Sequence, residues 1–162
     1  MAEVKTGFAR GAALAFVLAA LVTMPARADQ AATMDQVVPE AERARIDLAS
    51  TGGPAETRGV LASEVLGALD LVRDFPQMAG YQMRARVVTL DAGGVIAVHQ
   101  HESRPAVAYL LEGEITEVRG KEQVIAHGQG SAAFEQTGLV HWWENRSDRP
   151  VKVVVVDIVP KP

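Results

Sequence analysis

The 162-residue chain contains no cysteine. That absence excludes a disulfide framework, a thiolate metal site and a cysteine nucleophile together. An excess of positive charge is missing too, since 16 Lys and Arg stand against 20 Asp and Glu, a formal net charge of −4. Nucleic acid is excluded as a partner on that balance, because phosphate binding calls for a basic surface. Long hydrophobic runs are equally scarce. The uncharged stretch at residues 11–24 is shorter than the roughly 18 apolar residues that a membrane span requires. No Ser-His-Asp set and no pair of carboxylates suggests hydrolysis.

The short apolar run has a different use. Lys5 and Arg10 precede its core and Ala26-Arg27-Ala28 follows it, which is the charged, apolar and small-x-small order of a secretory signal. Residues 1–28 are therefore expected to be a signal peptide cleaved after Ala28. The mature protein is expected to be periplasmic or secreted, with no stable membrane span. Loss of Lys5, Arg10, Arg27 and Glu3 leaves 13 basic against 19 acidic side chains, a charge of −6. Residues 29–59 have the composition of an N-terminal arm, with a short helix around residues 39–48 opened by Pro39, a breaker at Ser50-Thr51-Gly52-Gly53-Pro54, and no chemistry of their own. Residues 60–162 are enough for one domain. Within it, residues 60–74 fit a short helix or strand-turn-strand equally well.

Beyond Gly80 short runs rich in Val and Ile recur every 8 to 12 residues or so between turn residues, the signature of an all-β sandwich or barrel. The expected strands are residues 81–90, 95–101, 106–111, 114–119, 123–126, 131–134, 140–144 and 151–159. Asp91-Ala92-Gly93-Gly94 is expected to separate the first two, and nothing here is long enough for a substantial helix. Val153-Val154-Val155-Val156 is continuously apolar, so it is expected to be buried on both faces, against a second sheet or a second subunit. A homodimer is the corresponding expectation.

Side chains alternate along a strand, so Val95, Ala97, His99 and His101 are expected on one face. Two imidazoles then stand about 7 Å apart at the backbone and can converge on one ion. A lone H-x-H arises easily by chance. A third histidine, His141, lies on a later strand beside Trp142 and Trp143.

Together the two segments resemble the two motifs of the cupin superfamily. Gly93, five residues, His99-Gln100-His101 and Gly113 follow the first motif, with Ala106 in the place of its glutamate. Gly130, five residues, Gln136-Thr137-Gly138, His141 and Asn145 follow the second, with Gln136 in the place of its proline. The resemblance covers residues 93–145 and implies a double-stranded β-helix, or jelly-roll barrel, in which His99, His101 and His141 hold a divalent transition metal. Imidazole ligands do not choose among Fe, Mn, Zn, Ni and Cu. Without the glutamate, three neutral imidazoles leave the ion its full 2+ charge, and three-histidine cupins include active oxygenases. The alternative is a vestigial, empty barrel.

Several further residues take expected places. Arg104 is either a guanidinium that holds a substrate carboxylate or a surface arginine paired with Glu102. One of Trp142 and Trp143 is expected to face the barrel interior and the other an outer surface, with Trp142 a candidate substrate contact. Tyr109 and Phe134 are expected in the core and His127 in an exposed turn. Glu102, Glu112, Glu114 and Glu135 are candidates to replace the missing carboxylate, with Glu135 expected in a solvated loop. Two functions remain open: a metalloenzyme, such as an oxygenase, acting on a small organic substrate, and a non-catalytic module that binds a small ligand or metal.

Overall fold

The computed structural model describes residues 37–44 and 46–162. The signal segment expected at residues 1–28 and the first part of the arm lie outside the described residues. The arm contributes two short helices, α1 (Glu40–Arg43) and α2 (Leu48–Thr51). Pro39 precedes the first, and Asp47 caps the second by accepting from Ala49 N at 3.1 Å.

Eight strands follow: β1 (Arg58–Asp70), β2 (Tyr81–Gln100), β3 (Ala106–Glu112), β4 (Glu114–Arg119), β5 (Gln123–Gly128), β6 (Ala132–Glu135), β7 (Val140–Glu144) and β8 (Val151–Pro160). They form one antiparallel sheet in the order β5-β4-β7-β2-β8-β3-β6, with β1 paired to β2. Rolled into a nearly closed barrel, this is the all-β fold expected. The open choice at residues 60–74 resolves as a 13-residue strand followed by a turn of 3-10 helix at Leu71–Arg73.

The expected break at Asp91-Ala92-Gly93-Gly94 is instead a corner inside β2. Residues 82–90 pair with β8 and β1, and residues 95–100 pair with β7. Glycine makes the corner possible. Gly93 has a φ of 69°, and a Cβ on Gly94 would stand 2.7 Å from the Leu90 side chain. A strand that serves two parts of a barrel must bend, and glycine removes the side chain from the bend.

Asn145, the closing residue of the second motif, ties this corner to the β7–β8 turn. Its buried amide donates to the carbonyls of Leu90 (3.2 Å), Asp91 (2.8 Å) and Arg149 (2.8 Å), while Oδ1 accepts from Ser147 N and Oγ. Alternate residues of β3 and β8 supply the core. Ala106, Ala108 and Leu110 point inward with Val151, Val153 and Val155, packed against Val88, Leu90, Ile96, Ile115 and Trp143. Full burial of a side chain such as Leu110 contributes about 1.5–3 kcal/mol.

One expectation about packing changes. Tyr109 and Phe134 are not core residues but are 43% and 68% exposed, because their neighbours on the strand, Ala108 and Glu135, take the inward positions. Val153 and Val155 are buried, whereas Val154 and Val156 are half-buried on the outer face.

Replacing Asn145 with Ala removes five hydrogen bonds and strands the carbonyls of the corner. The expected loss is about 2–4 kcal/mol of stability, given that each buried orphaned group costs about 1–3 kcal/mol. A urea titration should show the midpoint falling with the slope unchanged.

Candidate metal centre

His99 sits on β2 and His141 directly opposite it on β7, while His101 follows the end of β2. The register slips between Ile96 and His99 relative to β7, a β-bulge. The expected alternation is corrected by that bulge: Ile96 and His99 both reach the interior, and Val98 points outward to Val118 and Trp142. Bulges commonly re-aim side chains beside functional sites.

The three rings are buried, at 3%, 0% and 0% exposure for His99, His101 and His141. Each commits its Nδ1. His99 Nδ1 donates to the Ala97 carbonyl at 2.8 Å, His101 Nδ1 to the Arg104 carbonyl at 2.8 Å, and His141 Nδ1 to Glu117 Oε1 at 2.7 Å. A carbonyl or an ionised carboxylate only accepts, so the proton of each neutral ring is on Nδ1 and its Nε2 is a bare lone pair. These lone pairs converge, with His99 Nε2 3.2 Å from His101 Nε2 and 3.1 Å from His141 Nε2. With neutral rings no proton lies between them, and a cation placed there relieves their repulsion.

A metal ion fits. Two imidazole nitrogens about 2.1 Å from one ion, at the near-right angles of an octahedral face, stand about 3 Å apart. On His99 or His101 a proton is a poor substitute. Burial and the neighbouring His141 and His101 push His99 well below its usual range. Burial and the Arg104 guanidinium push His101 down to about 3.

Glu117 is the functional residue that the sequence reading missed. It is fully buried on β4 and accepts from His141 Nδ1, from Arg119 Nε and Nη2 at 2.7 and 2.9 Å, and from His127 Nε2 at 2.9 Å. Burial alone would raise its carboxyl, but the hydrogen bonds from His141 and Arg119 outweigh that and hold it at about 2. His127 is accordingly not an exposed turn residue; it is buried on β5. The available signal was strand alternation, which puts Glu117 on the same inward face as Ile115.

Glu135 is likewise not solvated. It ends β6, is 5% exposed, accepts from Trp143 Nε1 at 3.3 Å, and places Oε2 3.5 Å from His101 Nε2 and Oε1 3.7 Å from His141 Nε2. Burial raises its carboxyl above the usual range, against the pull of His141 and Arg104. Glu112 and Glu114 are exposed at the β3–β4 turn, and Glu102 is exposed after His101.

Arg104 is neither a surface arginine nor paired as expected. Its Nε and Nη2 donate to Glu42 on α1 at 2.7 and 2.5 Å, and Nη1 donates to Asp157 at 3.2 Å. Asp157 also accepts from Arg84 at 2.8 Å. Ser103, with a φ of 56°, turns the chain so that the Arg104 carbonyl faces back to His101. The arm, expected to carry no chemistry, thus supplies a partner to a residue that holds a ring of the cluster.

Trp143 is the interior tryptophan and Trp142 the outer one. Trp142 packs with Val98, Val118 and Ile46, and a Cβ on Gly53 would stand 2.8 Å from its ring, so the arm covers it. Trp143, Arg86, Arg104, Glu135 and the arm residues Val37 and Val38 line a cavity of about 50 Å³ beside His99 and His101.

The fold and the three-histidine cluster define a small β-barrel protein with a site compatible with a metal ion. Residues 86–157 match the family model for the cupin domain, and that segment is a cupin domain. A search of the curated proteins gives no match. Among solved structures, the TT1209 protein of Thermus thermophilus is 28% identical, with 67% of this chain and 88% of that one covered and a TM-score of 0.50. A cupin-2 domain protein of Rhodospirillum rubrum is 14% identical over 65% of this chain and 64% of its own, with a TM-score of 0.52. A double-stranded β-helix protein of Klebsiella pneumoniae is 19% identical, with coverages of 62% and 84% and a TM-score of 0.49.

The burial of neutral imidazoles gives the metal-free protein a defined acid response. Between pH 6.5 and about 3 the unfolded chain takes up a proton at His101 that the folded one refuses, and His99 behaves alike. Their stabilisation is complete above pH 6.5 and is lost as pH falls, by up to about 1.4 kcal/mol per unit for each ring. Glu135, raised in the fold, opposes this slope above pH 4.5, so Glu135→Gln should steepen it. Glu117 adds its own loss only below pH 4.5. Urea midpoints at pH 7, 6 and 5 in the presence of a chelator test the window.

Proposed function

We propose that the protein is an exported metalloenzyme that holds a divalent transition ion on His99, His101 and His141 and acts, as an oxygenase or a related metal-dependent enzyme, on a small organic substrate. The observation that carries this reading is the convergence of three Nε2 lone pairs whose Nδ1 protons are all committed elsewhere. That arrangement fixes ring orientation in advance of the ion and raises ligand basicity. A bound ion supplies Lewis acidity and adjacent open positions for two small molecules. The chain's own residues bind and orient: Glu117 holds the His141 ring, the Arg104 carbonyl holds His101, and Trp143 with the valines and leucines of the core excludes water.

One observation favours the second reading, a non-catalytic module that binds a metal or small ligand. The cavity is small and is closed on one side by Val37 and Val38. Metal analysis after growth in supplemented medium is expected to give close to one equivalent of a transition metal, and less than a tenth after His99→Ala, His101→Ala or His141→Ala. Oxygen uptake with catechols, thiols and keto acids then separates the two readings; its absence with every class favours the module.

The proposed state is a periplasmic or secreted homodimer. A continuous apolar outer face supports the dimer: Leu69, Met83 and Ile158 form one cross-strand row, Val107, Phe134 and Val156 the next, and Tyr109 pairs with Val154 beyond. Sedimentation should give twice the chain mass, and Phe134→Glu should shift it to monomer without altering metal content.

A further inference from the structure

We infer that Glu135 supplies the metal-binding carboxylate that the first motif lacks, reaching the ion from the neighbouring strand in place of a side chain at Ala106. The inference rests on the metal reading above and names a fourth ligand for that site.

The register carries it. Ala106 on β3 and Glu135 on β6 are direct cross-strand partners, and both point into the barrel. Directly opposed residues have Cβ atoms about 4.5–5.5 Å apart, so a glutamate at either position reaches the same volume. In this chain position 106 carries only a methyl group, and the longer side chain stands across from it. The Glu135 oxygens face the cluster at 3.5 Å from His101 Nε2 and 3.7 Å from His141 Nε2. Ligand atoms on one face of an octahedron stand about 3 Å apart, so ligation takes a side-chain rotation that carries one Glu135 oxygen inward from these separations.

The support is also in place. Trp143 Nε1 donates to Oε1, which leaves the carboxylate oriented by a ring that itself packs against His141. Orientation by an outer hydrogen bond is the usual condition of a ligating carboxylate. The other acidic candidates fail on position. Glu117 is committed to His141, His127 and Arg119, Asp157 to Arg84 and Arg104, and Glu42 to Arg104. The consequence is a change in charge: three imidazoles and one carboxylate leave a divalent ion at 1+ rather than 2+.

The test uses the full chain and its affinity for Zn²⁺ and Co²⁺, read by competition with a chromophoric chelator, together with the visible spectrum of the Co²⁺ form. Glu135→Ala and Glu135→Gln are expected to weaken binding by at least tenfold and to alter the Co²⁺ spectrum. The double variant Ala106→Glu with Glu135→Ala, which returns the carboxylate to the other strand, is expected to recover most of the loss. Circular dichroism of each metal-free variant controls for folding, with Glu135→Gln preserving side-chain shape. Binding within threefold of the parent in both single variants, alongside its loss in His99→Ala, overturns the Glu135 assignment and leaves the three-histidine site standing. A parent chain that binds neither ion, with no difference from the histidine variants, overturns the metal reading itself.

Discussion

The centre of this protein depends on where three protons sit. Each imidazole of the cluster faces an acceptor that has no proton to give, two backbone carbonyls and one carboxylate, so none of the rings can change tautomer without losing a buried hydrogen bond. The lone pairs are thereby aimed inward before any ion arrives. The strongest of the three constraints is Glu117. A fully buried carboxylate is costly unless it is satisfied, and here His141, His127 and Arg119 satisfy it on both oxygens. Through the His141 ring its negative charge also leans on whatever cation the site holds, raising the basicity of that ligand.

A second buried charge cluster stands behind the first. Arg84, Arg86 and Arg104 surround Asp157, and Glu42 completes Arg104 from the arm. Burial pulls Arg86 down to about 10 against the support of Asp157, whereas Glu42 outweighs the burial of Arg104 and raises it. Breaking a buried pair by removing one partner costs about 3–5 kcal/mol, so the Glu42–Arg104 pair holds the arm alongside the Arg86 bond to the Val37 carbonyl and the packing of Val37, Val38 and Ile46. The same Arg104 offers its carbonyl to His101. Arm and metal centre therefore share one residue, with its guanidinium serving the first and its backbone the second.

The barrel was legible because strand patterning is local. Val- and Ile-rich runs between turn residues mark the strands from Tyr81 onward, and the resemblance of Gly93, His99, His101, Gly113, His141 and Asn145 to the two cupin motifs implies that the histidines lie together. What escaped was set by cross-strand register. Nothing local says that Glu117 meets His141, that Glu135 lies opposite Ala106, or that Glu42 reaches Arg104 across 62 positions. Glu135 in solvent and Arg104 at the surface are the ordinary expectations for their types, and this barrel keeps both inside, with Glu117 and Asp157, because each has a partner. Inward alternation from Ile115 and Ala133 was the unused signal for both glutamates. The Gly93-Gly94 corner shows the converse error, since a glycine pair breaks a strand or bends it, and only the partners on either side decide which.

The dimensions of the interior set the terms for any chemistry. About 50 Å³ of free space lies beside the rings, walled mostly by apolar side chains. In such surroundings a cation's field is weakly screened, and a small polar ligand that enters feels it strongly. Val37 and Val38 of the arm, 5% and 2% exposed, are part of the wall of this space, so the arm borders any ligand held there. The same arm runs into α1, whose Glu42 pairs with Arg104, and the Arg104 carbonyl holds His101. The wall of the ligand space and the support of one metal-facing ring thus belong to one connected set of contacts, and the space they leave suits a ligand of few heavy atoms.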